Sequence, residues 1–117
     1  MTAQDDPRAY LEDILEATVN ARQFAADMDY AMFSSDTKTT YAVIRALEII
    51  GEATKRVPSD VRERYPSIPW RDMAGMRDIA IHQYARLDLR RVFDTVRNEL
   101  PLLERNIKMI LDDLAVQ

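Results

Sequence analysis

The side chains best suited to chemistry stand together in residues 73–84, MAGMRDIAIHQY. His82, the only histidine of the chain, lies five positions after Arg77 and two before Tyr84. An imidazole accepts and releases protons near neutral pH, and an arginine is a permanent cation that binds a phosphate through two parallel hydrogen bonds. This combination predicts acid–base chemistry beside a phosphate group.

Helical geometry decides which of these side chains can act together. On an α-helix, which turns about 100° per residue, Arg77 shares a face with Tyr84, and Asp78 shares a neighbouring face with His82. Asp78 is thereby placed to accept an imidazole N–H, which favours the charged imidazole. Arg77 and His82 lie about 140° apart, which is wide for two groups touching one phosphate. We therefore expect either that the helix ends near His82 or that a second chain closes the gap.

Capping residues mark the helices that must position this segment. Asp6 followed by Pro7 predicts a first helix over about residues 7–29. The break at residues 33–37, FSSDT, offers three capping side chains for a second helix, which Pro58 ends. Apolar side chains recur at helical spacing along both segments, so each is expected to bury one face.

The connection at residues 58–70 contains three prolines, so we expect a loop with one helical turn inside it. It leads to Trp70, which we expect to be a core anchor because a tryptophan beside a proline usually buries its ring. Gly75 inside a helix costs about 1 kcal/mol relative to alanine. We therefore expect Gly75 to serve a close approach of two backbones or of a partner helix.

The last third of the chain is also helical in pattern. Asp88 caps a further helix, and Pro101 then kinks it or restarts a terminal helix over about residues 101–114. No strand pattern or internal repeat occurs. The sequence therefore predicts an all-α protein, an antiparallel bundle of four long helices, or five if Pro101 breaks the last, in one domain over residues 1–117.

Composition narrows the class of protein and its compartment. A chain of 117 residues with 47% hydrophobic and 31% charged residues is typical of one soluble domain. The polar, acidic start does not resemble a secretory signal, and no apolar run approaches the roughly 18 residues of a membrane span. We therefore expect a cytosolic protein that does not bind membranes. With no cysteine and one histidine, no nitrogen-rich zinc site forms, and we expect neither a metal nor another cofactor.

The charge of the chain is unevenly distributed. The net charge of −4 argues against a general nucleic-acid binder. Residues 37–97, however, hold twelve basic and eight acidic side chains, whereas residues 1–36 hold two basic and eight acidic ones. The segment around Arg77 can therefore pair locally with a phosphate backbone. A solvated surface of mixed charge is the alternative, and charge alone favours it.

The pattern Arg77, four residues, His82, one residue, Tyr84, set within PWRDMAGMRDIAIHQY, resembles the signature of the HepT-like branch of the HEPN superfamily. Upstream, YAVIRALEIIGEATKRVP resembles the second helix of that family, so the resemblance covers nearly the whole chain. It implies a small helical homodimer and a metal-independent ribonuclease toxin in which Arg77 and His82 are catalytic. It also implies a partner, a minimal nucleotidyltransferase antitoxin that silences the toxin by adenylylating Tyr84.

The implied reaction needs more groups than one chain supplies. Metal-free RNA cleavage needs a base for the 2′-hydroxyl proton, an acid for the leaving oxygen and a cation for the charge at phosphorus. One histidine per chain leaves one acid–base role unfilled, and a symmetric dimer with two motifs at its interface supplies both. Asp78 supports His82 in this interpretation. Alternatively, an acid at that position weakens phosphate binding by Arg77.

Other interpretations of the sequence stay open. Glu52 pairs either with the motif arginine, Arg77, or with Lys55 or Arg56 on its own helix. Without the resemblance, a lone His82 is more often a structural residue than a catalytic one. The main functional alternative is a non-catalytic HEPN module that binds a nucleotidyltransferase partner and contributes to its nucleotide or substrate pocket. A purely structural dimerisation bundle is a third possibility, but it does not require the motif.

Overall fold

Helices account for most of the residues that a computed structural model describes, which are residues 6–79 and 87–116. Within these two ranges there are seven α-helices and a single turn of 3₁₀-helix, and there is no β-strand. The predicted all-α class is confirmed. Four of the predicted helices correspond to the four longer ones observed, whereas the helix predicted around Arg77 is, within the described residues, a short helix followed by a 3₁₀ turn.

The first helix, α1, spans Pro7–Phe24 and begins where the sequence predicts. The carboxylate of Asp6 accepts the Arg8 backbone N–H at 3.0 Å, which caps the helix start. The predicted end near residue 29 is wrong, because the guanidinium of Arg97 donates to the carbonyl oxygens of Ala25 and Met28. A partner far along the chain thus binds carbonyl groups that lie just beyond the observed helix end.

Aspartate caps start the next two helices. Asp29 caps the short helix α2, Tyr30–Ser35, by accepting the Met32 N–H at 2.8 Å. Asp36 caps the long helix α3, Thr37–Arg56, by accepting the Thr39 N–H at 3.0 Å. The predicted second helix and its cap are confirmed, but part of the predicted FSSDT break is itself helical because Asp29 begins a helix there.

The connection before the motif holds two short helices, α4, Ser59–Arg64, and α5, Trp70–Ala74. Trp70 is buried, and its indole N–H donates to the Tyr65 carbonyl at 3.0 Å, so the predicted core anchor is confirmed. A 3₁₀ turn, Gly75–Asp78, follows α5. The expectation that Arg77 lies on a continuous α-helix is therefore wrong.

The last two helices are α6, Leu89–Asn98, and α7, Leu100–Ala115. Asp88 caps α6 by accepting the Arg91 N–H at 3.1 Å, as predicted. Pro101 lies in the first turn of α7, where its missing N–H removes no helical hydrogen bond. Of the two predicted outcomes at Pro101, the restart is thus the one observed.

The core forms where α1 packs against α3 and α7. Arg22, near the end of α1, bonds Glu104, near the start of α7, at 2.9 Å, so these two helices run antiparallel. The central side chains are aliphatic and fully buried, among them Leu11, Ile14, Leu47, Ile50, Ile107 and Ile110. Across the described ranges, no helix combines the length and apolar character needed to cross a membrane.

Candidate active site

Two of the four predicted site residues can be placed. Arg77 and Asp78 lie in the 3₁₀ turn that follows α5, and both are exposed at the surface. His82 and Tyr84 lie outside the described residues. The convergence of Arg77 with His82, and the pairing of Asp78 with His82, therefore stay predictions.

Packing at every third residue explains the direction of the Arg77 side chain. A 3₁₀-helix has three residues per turn, so Met76 and Ile79 fall on one face. Both are buried, with 3% and 8% of their surface exposed, and the Ile79 N–H donates to the Met76 carbonyl at 3.3 Å. Burying that face turns Arg77 and Asp78 outward, and 45% of the Arg77 side chain is exposed.

Gly51 in α3 allows the turn to lie against the helix. A Cβ atom built at Gly51 would stand 2.5 Å from the backbone nitrogen of Arg77, 2.8 Å from its Cβ and 2.9 Å from the Ala74 carbonyl oxygen. All three separations are shorter than van der Waals contact, and two of the atoms are backbone. Only glycine at position 51 therefore permits the observed position of Arg77.

The predicted close approach was assigned to the wrong glycine. No described atom lies within 4 Å of a Cβ built at Gly75, so among the described residues the expected close approach of two backbones does not occur there. Contact of Gly75 with a partner helix stays a prediction. Glycine inside a helix lowers helix stability by the same amount at either position. Helix propensity therefore identifies both glycines as unusual, but it does not indicate that Gly51 is the one that makes a close contact.

The carboxylate of Asp78 lies beside Arg77. Its Oδ1 is 3.6 Å from the Arg77 Nε, and 76% of the Asp78 side chain is exposed. An ion pair this long and this exposed contributes little to stability. Among the described residues, Arg77 has no other polar partner. Its two terminal guanidinium nitrogens are thus available to an anion.

Glu52 does not take either of its predicted partners. Its carboxylate lies 3.8 Å from the Arg45 guanidinium, which stands seven positions earlier on the same face of α3. The predicted alternatives, Arg77 and the pair Lys55 and Arg56, are both wrong for this side chain. The Glu52 side chain is 53% exposed, so the ion pair with Arg45 is also weak.

A cleft of about 410 Å³ opens between α1 and α3, and Arg77 lines one side of it. We call it the α3 cleft. Its walls carry four basic side chains, Arg45, Lys55, Arg56 and Arg77, and two acidic ones, Asp13 and Glu52. The motif arginine thus faces a locally basic surface, although the whole chain is acidic.

The described part of the chain contains no group of three histidine, cysteine, aspartate or glutamate side chains close enough together to hold a metal ion. What the placed residues offer is a fixed, partly exposed cation beside a basic cleft. Such an arrangement is chemically suited to a phosphate group.

Known proteins resemble this chain over most of its length. The family Ribonuclease HepT-like matches residues 14–110. A Methanocaldococcus jannaschii protein named as a candidate RNase is 45% identical over 93% of this chain and 94% of its own length. The probable ribonuclease HepT of Thermococcus cleftensis is 48% identical over 81% of this chain and 86% of its own. No solved structure matches the chain.

Proposed function

This chain belongs to the HepT-like ribonuclease family of the HEPN superfamily, and we propose that it is an endoribonuclease toxin that cleaves RNA in the cytosol without a metal ion. The observation that carries the proposal is the placement of Arg77, which the Gly51 contact fixes at the edge of the α3 cleft, where its terminal nitrogens have no partner among the described residues. A preorganised cation of this kind stabilises the charge that develops on a phosphate during cleavage.

His82 supplies the proton transfers in this mechanism. As the base, it takes the proton of a 2′-hydroxyl, whose oxygen then attacks the neighbouring phosphorus. The bond from phosphorus to the 5′-oxygen breaks, and the histidine of a second protomer, acting as the acid, protonates that oxygen. The products are a 2′,3′-cyclic phosphate and a free 5′-hydroxyl, with no water or cofactor consumed. Arg77 binds the phosphate oxygens throughout.

Asp78 acts as a supporting residue in this proposal. Its contact with Nε orients the guanidinium of Arg77 and leaves the opposite edge of that group for the phosphate. The second carboxylate oxygen is then free to accept an imidazole N–H from His82, which favours the charged form of the acid catalyst. The homodimer is part of the same proposal, because one histidine per chain cannot be base and acid in one step.

Regulation acts through Tyr84. A minimal nucleotidyltransferase antitoxin transfers AMP from ATP: the Tyr84 oxygen attacks the α-phosphorus and pyrophosphate leaves. The attached AMP places a bulky anion near Arg77 and His82, which occupies the phosphate site and neutralises its positive charge. Removal of the tyrosine hydroxyl should therefore leave the toxin permanently active.

The test compares unmodified wild-type protein with His82→Ala and Tyr84→Phe. We expect cleavage of RNA by wild type and Tyr84→Phe but not by His82→Ala, with unchanged helical circular dichroism and a dimer mass by light scattering for all three. Incubation with the partner enzyme and ATP should add AMP mass to wild type and none to Tyr84→Phe. A folded His82→Ala protein that cleaves normally refutes the catalytic assignment. Wild type that binds the partner but cleaves nothing supports the non-catalytic module instead.

A further inference from the structure

We propose that the α3 cleft is the surface that binds the RNA strand next to the cleavage point, with Arg45, Lys55 and Arg56 contacting backbone phosphates beside the one held by Arg77. The inference rests on the proposed ribonuclease function and names the residues, outside the sequence motif, that hold its substrate. Single-stranded RNA is the ligand, and its phosphodiester backbone is the part recognised.

The basic side chains follow one side of α3. Arg45 and Arg56 are eleven positions apart, which is close to three turns of helix, so both point into the same cleft. The rise between them is about 16 Å. Neighbouring phosphates of a single strand lie less than half this distance apart, so the cleft can contact more than one of them. Arg77 lies across the cleft at the Gly51 crossing point, within this length of α3.

The basic side chains of the α3 cleft form few interactions with other described residues. Among the described residues, Lys55 and Arg56 make no ion pair or side-chain hydrogen bond, and Arg45 makes only the 3.8 Å contact with Glu52. That exposed pair is weak, so a phosphate can displace it at little cost. Binding of a polyanion to these side chains therefore sacrifices almost no internal interaction.

The basic side chains of a second cleft, unlike those of the α3 cleft, are bonded to other groups of the protein. This second cleft lies between the end of α1 and the start of α7, and Arg22, Arg97 and Lys108 line it together with Glu104. There Arg22 and Lys108 bond Glu104 at 2.9 and 3.0 Å, and Arg97 donates to main-chain carbonyls. Its cations serve the fold. Of these two clefts, the α3 cleft is the one whose cations lack strong partners among the described residues and lie beside the motif arginine.

A purely structural account of Lys55 and Arg56 is available and makes a different prediction. Both lie in the last turn of α3, where a cation interacts favourably with the helix dipole. That account predicts a loss of stability on removing them and no change in RNA binding. It also leaves Arg45, in the middle of the helix, without a role.

The acidic side chains of the cleft provide a test of opposite sign. Glu52 repels a phosphate and also neutralises Arg45. If the cleft binds RNA through charge, Lys55→Ala and Arg56→Ala weaken binding whereas Glu52→Gln strengthens it. General damage to α3 would instead weaken binding in all three variants.

The experiment measures binding of a fluorescently labelled single-stranded RNA to the full chain carrying His82→Ala, so that the probe stays intact, over a series of salt concentrations. Removing both Lys55 and Arg56 should reduce the slope of log affinity against log salt by about 1.4, since each lost phosphate contact on a single strand contributes about 0.7. In the cleavage-competent protein, the same double variant should raise KM on the order of tenfold and leave kcat nearly unchanged, because these contacts bind substrate and transition state equally.

Matched controls are Lys38→Ala and Arg105→Ala. Lys38 is exposed on the same helix but about 26 Å along it from Lys55, and Arg105 is exposed on α7, outside the cleft. Both control variants should retain the wild-type KM and the wild-type slope of log affinity against log salt. The inference is overturned if the double variant also retains the wild-type salt slope and KM, or if the control variants change the slope and KM as much as the double variant does. Such a result leaves the proposed function intact as long as cleavage still requires His82. A wild type that cleaves no RNA refutes the proposed function, while the salt slope still tests the cleft.

Discussion

At the scale of single residues, the position of Arg77 depends on the missing side chain of Gly51. The backbone of the 3₁₀ turn lies so close to α3 that a methyl group at position 51 would overlap the Arg77 nitrogen. The site therefore extends to a residue that carries no functional group. A displacement of about 1 Å at a catalytic group can lower a rate about a hundredfold.

The two glycines of the chain form a matched pair for testing this dependence. Gly51→Ala should lower RNA cleavage by roughly ten- to a hundredfold and destabilise the fold by about 1 to 3 kcal/mol, because the turn must move. Gly75→Ala should keep activity and stabilise the fold of the single chain by about 0.4 to 1 kcal/mol, since its φ of −71° and ψ of −12° suit alanine and no described atom lies within 4 Å of the added Cβ. Cleavage rates and urea unfolding measure both effects. Equal activity of the two variants contradicts the role of Gly51.

Asp78→Asn tests the supporting carboxylate at the same scale. Loss of the charge should lower kcat on the order of tenfold and move the pH–rate profile to lower pH, because a nearby carboxylate favours the charged imidazole. If Asp78 acts mainly by competing for Arg77, the variant should instead show a lower KM and an unchanged pH profile. Steady-state kinetics between pH 5 and pH 8 distinguish the two results.

At the scale of elements, the sequence predicts where helices start better than where they end. The caps Asp6, Asp36 and Asp88 act on N–H groups two or three positions later, so their effect is local and readable. The end of α1 depends on Arg97, which is distant in sequence, and no local pattern reveals it. The same holds for the site. The sequence motif predicts Arg77, whereas the contact with Gly51 and the position of the α3 cleft are visible only in the folded structure.

Arg97→Ala tests the contact that ends α1. The guanidinium donates to the Ala25 and Met28 carbonyls and lies 5.0 Å above the Phe93 ring. Its removal takes this donor from the Met28 carbonyl, while the Ala25 carbonyl keeps the Met28 backbone N–H at 3.1 Å. We expect a loss of roughly 1 to 2 kcal/mol in the free energy of unfolding, measured with urea. Arg91→Ala, exposed on the same helix, should change it by less than about 0.5 kcal/mol. Equal effects in the two variants contradict this account of the helix end.

At the scale of the whole molecule, the two net-basic clefts have different tasks. The cleft at the end of α1 is tied internally through Glu104, which joins α1 to α7, while the α3 cleft faces solvent with free cations. An overall charge of −4 therefore conceals a locally basic surface. The net charge sums over both clefts and the rest of the surface. For this reason net charge alone argues against RNA binding, which is the opposite of the proposed function.

The tie between α1 and α7 predicts a pH dependence of stability. Burial raises the pKa of the Glu104 carboxyl, but hydrogen bonds from Lys108 and Arg22 outweigh it and hold that pKa below its ordinary value of 4.5. The folded state therefore binds the proton less tightly than the unfolded state, and the stabilisation is present above pH 4.5 and lost as the pH falls below it.

Glu104→Gln should be less stable than wild type at pH 7, and this difference in stability, the gap, should become smaller in acid. Thermal unfolding of both proteins from pH 7 downward measures the gap, with Glu16→Gln, exposed on α1, as the control. A gap that is unchanged in acid contradicts the assignment.

The most direct test of the central claim is the chemistry of the cleaved ends in the absence of metal. Unmodified wild-type protein and His82→Ala are incubated with a defined single-stranded RNA in excess EDTA, and the fragments are analysed by mass spectrometry. We predict fragments ending in a 2′,3′-cyclic phosphate from wild type and intact RNA from His82→Ala. Wild type that is inactive in EDTA, or His82→Ala that yields the same fragments, would contradict the account.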